Sequence, residues 1–140
     1  MIRHVLLDTG PLVASINRRD RFHAWTCSAL AQIAPPLLTC EPVLAESCFL
    51  LQKFPGASAA ILELVHRGIV KVNFHVDEHI LPLSKLMSKY ANVSMSLADA
   101  CLVRMSEMDS QSTILTLDAD FKVYRRHGRQ TIPVMMPNAK

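Results

Sequence analysis

The residues Val5-Leu6-Leu7-Asp8-Thr9-Gly10-Pro11 stand near the amino terminus and join an apolar run to a turn. An apolar run that ends at Gly and Pro is typical of a buried strand followed by the first turn of a helix. We therefore predict a strand over residues 4–7 and a short helix that begins after Asp8. The carboxylate of Asp8 ends the strand, so it is the first candidate functional group of the chain, although it can also cap the helix that follows.

The remainder of the chain alternates helical and strand patterns. Apolar residues spaced by three and four predict helices over residues 22–33, 42–53, 57–67, 78–91 and 97–108, with a short helix over 120–127. Short apolar or alternating runs predict strands over residues 37–40, 69–74, 113–117 and 132–135. This alternation favours an α/β fold in which helices cover both faces of a central parallel sheet.

Composition limits the class of protein. A chain of 140 residues has the length of one domain, so we expect a single domain over residues 1–140. Half of the residues are hydrophobic and 19% are charged, which excludes a disordered chain. No signal peptide fits the amino terminus, and Gln32, Pro35 and Pro36 interrupt the uncharged residues 22–40, so that a membrane span is not indicated. We expect a cytoplasmic protein.

Two acidic residues end apolar strands. Asp8 follows Val5-Leu6-Leu7, and Asp118 follows Ile114-Leu115-Thr116-Leu117. The carboxyl ends of parallel strands lie at one edge of a sheet, where ligands bind in α/β folds, so these two carboxylates can be neighbours. The alternative for each is a helix cap, because Asp is a common N-cap residue.

Two further acidic residues stand in apolar helices. Glu46 is the only charged residue between Pro42 and Gln52, and its helical neighbours are apolar. Such a carboxylate needs a cationic partner, which could also be an Arg or Lys elsewhere in the fold. Asp99 follows Ser96-Leu97-Ala98, a spacing that also fits a capping box, yet the surrounding residues are those of an interior helix.

The four carboxylates of Asp8, Glu46, Asp99 and Asp118 can converge on one cleft. Like charges repel, so they cannot all stay ionised without compensation. A hard divalent cation compensates them, and Mg²⁺ or Mn²⁺ suits a site made of carboxylate oxygens. No His or Cys has the spacing of a zinc site.

Four motifs in this order resemble those of the PIN-domain ribonucleases. They are Val5-Leu6-Leu7-Asp8-Thr9, Glu41-Pro42-Val43-Leu44-Ala45-Glu46, Ser96-Leu97-Ala98-Asp99-Ala100 and Leu115-Thr116-Leu117-Asp118-Ala119-Asp120-Phe121. The small size looks most like the toxin components of VapBC toxin–antitoxin pairs. The resemblance implies a three-layer α/β/α fold and a Mg²⁺- or Mn²⁺-dependent endoribonuclease. It also implies an RNA substrate, homodimerisation and a small antitoxin protein as partner.

The resemblance also assigns roles to residues. Asp8, Glu46 and Asp99 match the first three acidic positions of the family, and Thr9 matches a hydroxyl found beside the first of them. Asp118 and Asp120 both stand in the last motif, and we favour Asp118 because it closes the strand. The implied metal anchors are Asp8, Asp99 and Asp118, whereas Glu46 would orient the attacking water.

Basic residues supply the expected RNA contacts. If the four candidate acidic residues are left out of the count, the chain has fifteen basic and eight acidic side chains, an excess of seven basic ones. They cluster at Arg18, Arg19 and Arg21 and again at Lys122, Arg125, Arg126 and Arg129. The alternative function is a catalytically inactive PIN-like module that binds RNA or a protein. A haloacid dehalogenase-like phosphohydrolase is disfavoured because Gly10 stands where its second Asp is needed.

Overall fold

The structure, a computed structural model, describes residues 1–138. Its strands are β1 (Val5–Leu7), β2 (Leu37–Thr39), β3 (Val70–Val72), β4 (Thr113–Leu115), β5 (Arg125–Arg126), β6 (Gln130–Thr131) and β7 (Val134–Met135). The main sheet has the order β3-β2-β1-β4-β7, and every neighbouring pair in it is parallel. A separate antiparallel hairpin consists of β5 and β6.

Helices form the outer layers. They are α1 (Thr9–Ile16), α2 (His23–Leu30), α3 (Glu41–Leu50), α4 (Ala57–His66), α5 (Ile80–Lys89) and α6 (Leu97–Met108). Helix α1 packs against α2, α3 and α4, whereas α5 packs against α6. The predicted α/β/α architecture with a central parallel sheet is therefore confirmed. Within residues 1–138, no helix combines the length and the apolar character that crossing a bilayer requires.

The order of the strands determines where a crevice opens at the edge of the sheet. From β1 the chain moves outward through β2 to β3 and then returns to β4 on the other side of β1. The strand order thus reverses between β1 and β4, and such a point opens a crevice at the carboxyl ends of the strands. Leu7 lies opposite Leu115 in the register, so Asp8 and Thr116 leave the sheet side by side.

Helix α6 agrees with its prediction at both ends, but the predicted helix over residues 120–127 is wrong. The chain forms a 3₁₀ turn at Ala119–Lys122 and then enters the β5–β6 hairpin. His127 and Gly128 both adopt positive φ, of 52° and 77°, at the turn of this hairpin. Such a turn reverses the chain and matches the twist of the strands, so the helical spacing of the preceding residues cannot continue.

Candidate active site

The structure brings the four predicted acidic residues to one cleft at the carboxyl edge of the sheet. We call it the acidic cleft. Its volume is about 490 Å³, and its lining comprises Asp8, Thr9, Gly10, Glu46, Leu50, Ser96, Asp99, Leu117, Asp118 and Ala119. The four carboxylates come from four separate segments: the end of β1, helix α3, the start of α6 and the chain after β4.

Asp8 is held firmly at the base of the acidic cleft. Its Oδ1 accepts a hydrogen bond from the Thr9 amide at 2.8 Å, and its Oδ2 accepts one from the Thr116 hydroxyl at 2.7 Å. The side chain is only 6% exposed. Burial raises the pKa of Asp8 to about 6 in spite of these hydrogen bonds, and the nearby charges of Asp99 and Asp118 raise it further. Asp8 therefore caps α1 and also carries a destabilised charge.

Glu46 is tied to the amino-terminal motif through Thr9. The Thr9 hydroxyl donates a hydrogen bond of 2.7 Å to Glu46 Oε1. The sequence predicted an apolar environment for Glu46, and this is wrong, since Glu46, Phe49 and Leu50 are all exposed. Val43, one turn before Glu46, is buried, but Phe49 and Leu50, one turn after it, lie on the surface, so solvent reaches the carboxylate.

Asp99 takes part in the cap of α6 and also lines the acidic cleft. It completes a capping box with Ser96, in which the Ser96 hydroxyl accepts from the Asp99 amide at 3.0 Å and Asp99 Oδ2 accepts from the Ser96 amide at 3.3 Å. The Tyr124 hydroxyl donates to the same Oδ2 at 3.1 Å. The pKa of Asp99 is raised, chiefly by burial and further by the charge of Asp118. The cap reading and the site reading are thus compatible.

Asp118 and Asp120 differ in their relation to the acidic cleft. Asp118 caps the 3₁₀ turn, and its Oδ1 accepts from the Asp120 amide at 2.9 Å. Its own amide donates to the Thr116 hydroxyl at 2.9 Å. Asp118 lines the cleft, whereas Asp120 is absent from the lining found within residues 1–138. Asp118 thus lies at the acidic cleft, and its assignment as the fourth acid stays a prediction.

The donor set of the acidic cleft fits a hard divalent cation, although the side chains are not closed around one. Neither ion pair that occurs between described residues involves any of the four acids, since the pairs are His4–Asp109 and Arg104–Glu107. The carboxylate oxygens of the four acids are ligands that Mg²⁺ and Mn²⁺ prefer. Yet no three His, Cys, Asp or Glu side chains of the described part of the chain are arranged as a ready metal site. Coordination therefore requires that some of these carboxylates rotate inward.

Two supporting residues were missed from the sequence. Thr116 links the strand ends, because its hydroxyl donates to Asp8 and accepts from the Asp118 amide. Tyr124 is fully buried, and its hydroxyl donates to Asp99. The pKa of Tyr124 is raised, chiefly by burial and further by the charge of Asp99. The sequence could have indicated Thr116, because it is a polar residue within the apolar run that ends at Asp118. No local pattern indicated Tyr124.

The carboxy-terminal basic cluster does not act as one surface. The Arg126 side chain is buried, and its guanidinium donates to the carbonyls of Ser106 and Ser110 at the end of α6. A cation at this place neutralises the negative end of the helix dipole. Arg125 lies half-buried, and Arg129 is exposed. The expectation that Arg126 contacts RNA is therefore wrong, because its side chain is buried and both of its Nη atoms donate within the fold.

The chain belongs to the PIN domain family, since residues 5–126 match the PIN domain model. The fold is similar to that of VapC20 from Mycobacterium tuberculosis, a toxin described as cleaving the sarcin–ricin loop. The TM-score is 0.76 and the sequence identity 20%, and the match covers 85% of this chain and 93% of that chain. No protein with curated annotation shows significant similarity to the sequence.

Proposed function

We propose that this protein is a Mg²⁺- or Mn²⁺-dependent endoribonuclease and the toxin of a toxin–antitoxin pair. The observation that carries the proposal is the acidic cleft, in which four segments of the chain supply carboxylates that have no ion-pair partner among residues 1–138. Converging like charges are unfavourable unless a cation joins them. Membership of the PIN domain family and the likeness of fold to an RNA-cleaving toxin support the same conclusion.

The four acids divide into a fixed pair and an adjustable pair. Asp8 and Asp99 each accept hydrogen bonds from a neighbouring backbone amide and from a hydroxyl group of another segment. Glu46 and Asp118 are exposed, and each has one carboxylate oxygen with no hydrogen bond from the described residues. The fixed pair would hold the cation at a defined place, and the adjustable pair would complete its coordination by rotation.

The residues of the acidic cleft would perform a hydrolysis. A bound Mg²⁺ or Mn²⁺ would supply charge neutralisation at the scissile phosphate and lower the pKa of water. The free Oε2 of Glu46 would accept a proton from the attacking water, while the Thr9 hydroxyl fixes the other oxygen at 2.7 Å. The water oxygen would form a bond to phosphorus as the bond to the 3′ oxygen breaks, and the departing 3′ oxygen would take up a proton from solvent. The products would carry a 5′-phosphate and a 3′-hydroxyl.

Partners follow from the same proposal. The substrate would be RNA, and the protein would act in the cytoplasm as a homodimer that a small antitoxin protein inhibits. Leu50 lines the acidic cleft, and Phe49 and Phe54, close to it in sequence, are exposed as well. Exposed apolar side chains of this kind support a protein partner. A short reading frame directly upstream, whose product copurifies with this protein, tests the antitoxin, and light scattering tests the dimer.

Cleavage of RNA by the purified protein tests the activity. We expect cleavage with Mg²⁺ or Mn²⁺, none in excess chelator, and products with 5′-phosphates. Asp8→Asn should lower the cleavage rate by roughly a thousandfold or more, because it removes a fixed anchor of the cation. Asp77→Asn, an exposed acid of the 3₁₀ turn Val76–Glu78, is the matched control and should cleave at the wild-type rate. Undiminished cleavage in chelator refutes the metal dependence.

The identity of the fourth acid needs a matched pair of variants. Asp118→Asn and Asp120→Asn remove the same charge at neighbouring positions, but only Asp118 lines the acidic cleft. We expect Asp118→Asn to lose most of the activity and Asp120→Asn to retain most of it. The reverse result would assign the fourth position to Asp120.

The alternative is an inactive PIN-like module that binds RNA or a protein. The specific observation in its favour is that the described residues contain no ready group of three metal ligands. Such a module would bind RNA equally in metal and in chelator and would cleave it in neither. Measuring cleavage and binding on one sample therefore separates the two functions.

A further inference from the structure

A second cleft lies beside α5 and the β5–β6 hairpin and is rich in basic side chains. We call it the basic cleft. Its volume is about 560 Å³, and its lining comprises Leu81, Pro82, Lys85, Leu86, Lys89, Glu107, Arg125, His127 and Gly128. The lysines come from α5, and Arg125 and His127 come from the hairpin. Elements far apart in sequence therefore bring cationic side chains to one place.

The single carboxylate of the basic cleft is already compensated. Glu107 Oε1 accepts from the Arg104 guanidinium at 3.3 Å, and its Oε2 accepts from the His127 amide at 2.8 Å. Arg125 uses only Nη1 within the fold, where it donates to the carbonyls of three preceding residues, at 2.7 to 3.2 Å. Its Nε and Nη2 have no partner among the described residues. The cleft thus presents uncompensated positive charge and free donors.

The basic cleft is rigidly connected to the acidic cleft. Tyr124 donates to Asp99 in the acidic cleft, and the next residue, Arg125, lines the basic cleft. The Arg125 amide donates to the Tyr90 hydroxyl at 2.9 Å, and the rings of Tyr90 and Tyr124 pack edge to face at 5.0 Å. Helix α6 also joins the clefts, because Asp99 and Glu107 are eight residues apart on it, a rise of about 12 Å.

We infer that the basic cleft binds the phosphate backbone of the RNA substrate, several nucleotides from the scissile bond. This inference rests on the proposed function, and it assigns a second contact region to the same substrate. Lys85, Lys89 and Arg125 match a polyanion in charge, and Arg125 retains donors that suit a phosphate group. No Phe, Tyr or Trp side chain is part of the cleft lining found within residues 1–138, which leaves the His127 imidazole to contact a base, so the contact would read chiefly the backbone.

Salt-dependent binding of RNA tests the inference. The probe is a labelled single-stranded RNA, its binding is followed by fluorescence anisotropy in chelator, and sodium chloride is varied. The plot of log affinity against log salt has a negative slope. We expect the Lys85→Ala, Lys89→Ala double variant to reduce the magnitude of this slope by about 1.4, since each lost phosphate contact removes about 0.7. The control is Lys53→Ala, Lys71→Ala, which removes two exposed charges elsewhere and should keep the wild-type slope.

A second variant guards against structural damage. Lys89 donates to the Gly128 carbonyl at 3.3 Å and lies over the Tyr90 ring, so its loss could disturb the hairpin. Lys85 is exposed and has neither contact. The charge reversal Lys85→Glu should therefore weaken RNA binding more than Lys85→Ala does, with unchanged thermal stability.

Equal salt slopes for wild type, the basic-cleft variants and the control would overturn the inference. It would also be overturned if the variants keep their affinity for RNA but lose affinity for polyglutamate, because the cleft would then bind an acidic protein segment. If wild type cleaves RNA while the basic-cleft variants bind it normally, only this inference fails. If wild type cleaves nothing but its RNA binding depends on these lysines, the proposed function fails, and the basic cleft is an RNA-binding site without a substrate role.

Discussion

The acidic cleft and the basic cleft hold their charged groups in different ways. In the acidic cleft, Asp8 is buried and both of its oxygens accept hydrogen bonds. In the basic cleft, Lys85 and Lys89 are exposed on one side of α5. Chemistry at one phosphorus atom requires groups fixed to within a fraction of an ångström, whereas attraction of a polyanion requires only charge nearby. Asp8, the proposed anchor of the cation, is therefore fixed by burial and hydrogen bonds, whereas the proposed phosphate contacts of the basic cleft need only be exposed.

The burial of Asp8 predicts that the stability of the protein depends on pH. Burial raises its pKa from 3.8 to about 6, so the folded protein binds this proton more tightly than the unfolded chain does. The resulting stabilisation is complete below about pH 4 and is lost as the pH rises through about 6, an effect of up to about 3 kcal/mol. Urea unfolding in chelator should show this decline in wild type.

Asp8→Asn is the matched control for the pH dependence. Its free energy of unfolding should decline less than that of wild type between about pH 4 and pH 6, because Asn carries no proton to lose, whereas Asp99, whose pKa is also raised, remains in both proteins. The difference between the two proteins reports the Asp8 carboxylate together with its coupling to Asp99 and Asp118. The same pH dependence in both proteins would show that the Asp8 charge is not destabilised.

The second prediction concerns Arg126, the buried basic side chain among residues 1–138. Arg126 is 9% exposed and donates to the Ser106 and Ser110 carbonyls. Arg126→Ala should lower the free energy of unfolding by about 2 kcal/mol, because it removes the Arg126 donors from the carbonyl of the buried Ser106 and from that of Ser110. Arg129→Ala, an exposed residue of the same hairpin turn, should change it by less than about 0.5 kcal/mol. Comparable values for both variants would contradict the structural role of Arg126.

The sequence indicated some residues of the two clefts and not others. Asp8 was recognisable because a buried strand ends directly before it, and the four acids were brought to one edge by a topology that alternating strands and helices require. Thr116 and Tyr124 were not recognisable, since their hydrogen bonds to Asp8 and Asp99 depend on pairing across 108 and 25 residues. The basic cleft was missed because it forms only where α5 meets a hairpin whose turn was predicted as helix.

Asp99 allows the most direct test of the four-carboxylate site. It caps α6 and also lines the acidic cleft, so Asp99→Asn in the metal-free protein combines the loss of a cap with relief of repulsion. These contributions oppose each other, and the apo melting temperature alone therefore cannot separate them. Only the change that a metal ion produces reports the ligand role, because an ion that binds the folded state stabilises it.

The decisive measurement is a set of thermal melts of wild type and Asp99→Asn, each with Mn²⁺ and with chelator. Asp77→Asn is the control for the loss of one exposed acid. The four-carboxylate site predicts that Mn²⁺ raises the melting temperature of wild type and Asp77→Asn by the same amount, and that of Asp99→Asn much less. Equal metal-induced shifts in wild type and Asp99→Asn would contradict it and remove Asp99 from the metal site.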